Sequence, residues 1–161
     1  MKRGQLEQPF VYIFVLVVAA LVIFLGYFLI NGLLKTGKQV ETIRFESDLK
    51  NEIKSIYDFS PGTTSNYKNI VPSGIKGICF IDVSNVNLEE IKYEDIKDIV
   101  SVLKDAGSDK NMFYSVSVQV KQPPPIKIDK LKPKTNLICK STSRGILELD
   151  MENKGSFVEV S

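Results

Sequence analysis

An uncharged run of 27 residues, Gln8 to Leu34, constrains this chain more than any other feature. Of the 21 residues from Phe10 to Ile30, 16 are Phe, Val, Ile or Leu. At roughly 0.3 to 0.6 kcal/mol each on the membrane-insertion scale, they favour lipid over water by about 5 to 10 kcal/mol. A helix over Pro9–Leu34 would be about 39 Å long against a hydrocarbon core near 30 Å, so it spans with tilt or protrudes. Pro9 suits its first turn, where a missing N–H costs no hydrogen bond. The alternative, a cleaved secretory signal, normally has an apolar region of about 7 to 15 residues before a small-x-small site, and this run is too long.

The chain has 161 residues, which leaves room beyond the span for one compact domain. Removing Lys2, Arg3 and Glu7 from the totals of 21 basic and 19 acidic residues leaves 19 against 18 from Lys35 onward. That near-neutral balance argues against a nucleic-acid partner. The sequence predicts four segments: a cytoplasmic leader over 1–8, a transmembrane helix over 9–34, an amphipathic stalk helix over 35–59 and an extracytoplasmic α+β domain over 60–161. Membrane lipid is one expected partner, and a protein partner or a second copy is the other.

Charge does not orient the span, because Lys2 and Arg3 on one flank balance Lys35, Lys38 and Arg44 on the other. The two cysteines supply the choice. Cys79 and Cys139 lie in short apolar runs that read as inner strands. With no histidine and no C-x-x-C pair, they do not read as metal ligands. A Cys79 to Cys139 disulfide, closing a loop of about 60 residues and contributing about 4 kcal/mol, is the expectation; two separate buried thiols are the alternative. A disulfide implies an oxidising exterior for the domain and a cytoplasmic N-terminus.

Beyond the glycines near Asn31–Gly37, where a bend is expected, Phe45, Leu49, Ile53, Ile56 and Phe59 recur at helical spacing. This face packs on the domain's own sheet or, alternatively, against copies of itself in a stalk. A mainly antiparallel sheet of about five strands and one further helix should follow. Ile75–Val83 reads as a central strand, and Phe113–Val120 alternates as a strand with one solvated face. Gly145–Met151 and Phe157–Val160 read as a hairpin. Asn87 and Glu90 resemble a capping box opening one helix that carries Leu88, Ile91, Ile96, Ile99, Val100 and Leu103 and stops at Ala106–Gly107.

The segment Lys121–Lys134 holds five lysines, one aspartate and four prolines, which excludes a central strand. Its lysines, Lys121, Lys127, Lys130, Lys132 and Lys134, would suit an anionic lipid surface or an acidic partner, but a solvated crossover loop explains them more simply. No histidine means no general base of the usual kind near neutral pH. Glu94 with Asp98, and Asp82 with Asn85 and Asn87, match no calcium loop or glycosidase pair, and solvated faces account for both. No phosphate-binding glycine loop appears, so neither catalytic nor cofactor nor metal residues are expected.

The opening residues Lys2-Arg3-Gly4-Gln5-Leu6-Glu7, directly before the apolar helix, resemble the class III signal sequences of archaeal type IV pilin-like proteins. The resemblance covers about thirty residues and implies cleavage between Gly4 and Gln5, followed by assembly through the N-terminal helix. Two positions depart from it: the glutamate falls at the third mature position, Glu7, and Pro9 takes the fifth. The string Gly4 to Phe10 is similar also to the opening of a group of uncharacterised small archaeal single-pass membrane proteins. The resemblance predicts that protein isolated from its native membrane begins at Gln5 by intact mass; a chain beginning at Met1 excludes it.

Overall fold

Helix periodicity persists from the apolar run into the amphipathic stripe, and in a computed structural model of the chain the backbone is helical throughout, as α1 (Glu7–Tyr57). The structure describes residues 7–118, 120–142 and 144–161, with α1 side chains described over 11–30 and from Val40 on. Gly4 and Gln5, the expected cleavage site, lie outside the described residues. The helical assignment is uninterrupted through 31–37, where a bend was expected; glycine and asparagine weaken a helix without forbidding it.

Two compact units divide the chain, Met1–Val40 and Glu41–Ser161. In the first, Val11–Ile30 has a mean hydropathy of 3.1, and none of it is buried. By length and composition it can cross a membrane.

The second unit is α+β. After the α1 residues come β1 (Thr64–Ile70), β2 (Ile75–Ile81), a 3-10 turn (Leu88–Glu90), α2 (Glu94–Asp105), β3 (Met112–Val116), β4 (Leu131–Pro133), β5 (Leu137–Ser141), β6 (Ile146–Asn153) and β7 (Val158–Val160). The strands form two sheets instead of one, a four-stranded sheet in the order β1-β6-β7-β4 and a three-stranded sheet in the order β3-β2-β5. All pairings are antiparallel except β4 with β7.

A two-sided central strand explains the layering. In β2, Ile78 and Phe80 project into one core, and Cys79 and Ile81 into another. The first core lies among α1, both sheets and Tyr114, and it takes Phe45, Leu49, Ile53 and Ile56 from α1. The helix face therefore packs on the unit's own sheets. The fifth position, Phe59, is 61% exposed because α1 has ended before it. On the four-stranded sheet, Leu147, Leu149 and Met151 of β6 enter this core while Glu148 and Asp150 stay exposed, and β6 and β7 form the expected hairpin. The second core lies between the three-stranded sheet and α2, with Ile96 and Val100 fully covered.

Three elements differ from the sequence reading. The single helix from Asn87 is broken: Asn87 caps only the 3-10 turn by accepting from Glu89 N–H, Ile91 is extended, and α2 starts afresh at Glu94. The break puts Tyr93 against β2, where a side chain on Gly77 would overlap its ring. The expected alternation of Phe113–Val120 also fails, since β3 is covered on both faces and stops at Val116. Ser115, expected to be solvated, is buried and donates to Asp95 of α2 at 3.0 Å. Finally, β5 is an edge strand, not an inner one.

Deleting the Leu49 side chain beyond Cβ should cost about 2 to 5 kcal/mol, the range for a fully buried leucine. In chemical denaturation of the full chain in detergent, L49A should therefore lose far more stability than F59A, whose side chain is mostly in solvent.

Candidate functional site

Candidate functional groups fall in four places: the apolar helix, the cysteine pair, the lysine-rich segment and the acidic sets. Each is set by a different element.

Along Val11–Ile30 every residue except Gly26 is exposed, including Phe14, Phe24 and Phe28. An apolar surface this continuous needs a cover of lipid or protein.

Cys79 and Cys139 are disulfide-bonded and stand directly opposite each other in the antiparallel register of β2 and β5. The bond ties the edge strand β5 to the buried strand β2 beside Ile81, Phe113 and the α2 face.

The segment 121–134 is more than a solvated crossover. Its apolar side chains Ile128 and Leu131 are buried in the first core, and its end forms β4, parallel to β7 at the sheet edge. Asn111 fixes its path: its amide nitrogen donates to the carbonyls of Ile128 (2.8 Å) and Leu131 (3.3 Å), while its oxygen accepts from Ile128 N–H (2.8 Å). Between these anchors Lys130 adopts φ 63°, a left-handed conformation that costs a non-glycine residue about 1 to 2 kcal/mol.

The lysines serve separate local contacts. Lys127 pairs with Asp109 at 2.7 Å and Asp129 at 3.7 Å, raising its own pKa and lowering that of Asp109 through their hydrogen bond. Lys130 and Lys132 each sit 5.0 Å from an aromatic centroid, over Tyr57 and Phe157 respectively. Lys134 lines a shallow open depression with Asp150, Glu152 and Glu159, and Lys121 is exposed.

Of the acidic sets, Glu94 and Asp98 are exposed on α2, while Asp82 has a structural occupation, as does their neighbour Asp95. Asp82 accepts from Ser84 N–H and the Asn85 amide, closing a turn after β2. Asp95 accepts from Ser115 Oγ and Val116 N–H, pinning α2 to β3. Among the described residues, no group of three or more acidic or cysteine side chains is placed to hold a metal ion.

Two buried polar contacts escaped sequence reasoning. Asn153, 1% exposed, donates to the carbonyls of Ile56, Tyr57 and Phe59 at 2.9 to 3.0 Å and accepts from Gly155 N–H. It thereby caps the C-terminal end of α1 from almost a hundred residues away. Tyr114 donates to Glu46 at 2.8 Å, so Glu46 serves β3 as well as its own helix. Neither partner had a local signal in the sequence.

Comparison with protein families, with curated proteins and with solved structures finds no match.

Burial first, and then the charge of Glu46, raise the Tyr114 pKa far above its ordinary value of 10.0. The unfolded chain ionises this phenol near the ordinary value while the folded chain keeps it neutral. The stability it contributes is complete below pH 10 and falls as pH rises above it. Tyr67, also raised chiefly by burial, acts in the same sense. Denaturation at stepped alkaline pH should show this decline, and Y114F should make it shallower; an unchanged slope would exclude the assignment.

Proposed function

We propose that the chain is a membrane-anchored surface subunit, held by Val11–Ile30, that displays its second unit outside the bilayer as a structural or binding module, not as an enzyme. One observation carries this reading: a 20-residue apolar helix with none of its length buried, in a chain whose remaining unit has cores of its own. Such a helix stabilises nothing inside the unit, so its cover is external.

The Cys79–Cys139 bond supports an oxidising compartment for the second unit and a cytoplasmic N-terminus. The absence of histidine from the sequence, and the structural occupations of Asp82 and Asp95, support a non-catalytic role.

The pilin-like form of this reading rests on the resemblance of residues 2–7, and in it adjacent copies assemble through their N-terminal helices. A second form, a monomeric anchored binding module or accessory subunit of a membrane complex, is favoured by one specific observation. Phe45, Leu49, Ile53 and Ile56 are already buried in the unit's own core, so they have nothing left to offer a neighbouring copy.

Blue-native sizing of the chain, extracted in mild detergent, separates the two forms. A ladder of multiples is expected for helix-driven assembly, whereas one discrete small species selects the accessory module. Recovery of the full-length chain in the soluble fraction without detergent would overturn both.

A further inference from the structure

Three loops meet at one end of the second unit. Counted with the strand ends that flank them, these are 70–76 between β1 and β2, the described residues 117, 118 and 120–122 after β3, and 141, 142, 144 and 145 between β5 and β6. Backbone hydrogen bonds hold them together: Val71 N–H donates to Gly145 (2.9 Å), Thr142 N–H to Lys76 (3.0 Å) and Ser117 N–H to Gly74 (2.9 Å). Gly74, at φ 91°, makes the turn, packed against Val120.

This end is where the unit's helical stretch begins. β1 starts beside the C-terminal end of α1, where Ser65 reaches Glu52, and runs back along the helix. From Ser65 the five residues to Ile70 advance about 17 Å, the rise of about eleven helical residues, which carries Ile70 from the level of Glu52 toward the Glu41 end.

The composition of these loops is unlike that of the rest of the unit. They contain no Asp or Glu, but they do contain Lys76, Lys121 and Arg144, all exposed. Two large apolar side chains stand in solvent among them, Ile70 at 76% exposure and Val118 at 100%. The adjoining acids are engaged: Glu148 pairs with Lys68, and Asp95 holds Ser115 and Val116 N–H. Glu94 lies with Lys76 and Lys92 around an open depression. Exposed apolar residues also occur elsewhere in the unit, at Ile43, Phe59 and Val102, but here two of them, Ile70 and Val118, stand with three exposed basic side chains on connections that carry no acid of their own, the pattern of a lipid-headgroup contact. Chain length points to the same occupant, because ten residues link Ile30 to Glu41, a tether of at most about 40 Å even if fully extended.

We propose that this loop end docks on an anionic phospholipid surface, with Ile70 and Val118 entering the headgroup layer and Lys76, Lys121 and Arg144 meeting lipid phosphates. The proposal rests on the membrane-anchored reading above and adds a lipid preference to it.

The chain has no tryptophan, so V118W and I70W each place a single reporter in the full-length protein. The variants are reconstituted into phosphatidylcholine nanodiscs, with or without phosphatidylglycerol, carrying lipids brominated close to the headgroup. Both reporters should be quenched in the anionic discs, while F59W, at the Tyr57 end, should not be. Omitting phosphatidylglycerol, raising salt, or replacing Lys76, Lys121 and Arg144 together by glutamine should each cut the quenching roughly twofold or more. Unquenched reporters on a chain that has entered the discs would overturn the docking while leaving the anchoring intact. Equal quenching in neutral and anionic discs would overturn the lipid preference. Shielding that appears only with a dimer would assign the surface to a second copy. A chain that fails to enter the discs would overturn the anchored reading and the docking with it.

Discussion

Burial of β2 on both faces is the constraint on which the second unit depends. Successive side chains of a strand point to opposite sides, so a run without polar residues, Ile78 to Ile81, needs two apolar partners. The α1 stripe and the four-stranded sheet supply one, and α2 supplies the other. Several departures from simple pattern follow from that requirement. β3 must be apolar or internally satisfied on both faces, so Ser115 is tolerated only because its hydroxyl donates a hydrogen bond to Asp95. Gly77 leaves room for Tyr93, and α2 begins late enough to put that ring there.

The same logic separates the two stretches of α1. From Glu41 to Tyr57 the residues Phe45, Leu49, Ile53 and Ile56 form a stripe absorbed by the first core, while Ile43 and most charged residues face solvent. From Val11 to Ile30 it is apolar on every side, and no single neighbouring face could cover it. An amphipathic stripe is covered by one packed face, as here by the sheets; an all-round apolar helix of this length is one that can cross a membrane.

Long-range polar contacts complete the unit. Asn153 satisfies carbonyls at the end of α1, Asn111 fixes the path of the proline-rich segment, and the Tyr114–Glu46 hydrogen bond joins β3 to the helix. Each places a buried polar atom against a partner distant in sequence, and no buried side-chain polar atom among the described residues is left without one. Three lysines of 121–134, Lys127, Lys130 and Lys132, have local contacts that the charge run alone did not indicate. Their heads lie over the rings of Tyr57 and Phe157 and against the carboxylate of Asp109.

Period and composition alone determined the apolar span, the amphipathic stripe of Phe45 to Ile56, the β6–β7 hairpin and the exclusion of a histidine-based site. These signals are local: hydrophobic periodicity and turn residues act within a few positions of one another. Tertiary structure alone decided that the strands divide into two sheets, that β3 is covered on both sides, that the Asn87 helix breaks before Glu94, and that residues 131–133 join a sheet edge. The physical reason is that a strand's second face is defined by whatever packs on it, and that partner lies tens of residues away. The grouping of Ile70 and Val118 with Lys76, Lys121 and Arg144 has the same origin, since only the antiparallel return of the chain brings three separate loops to one end.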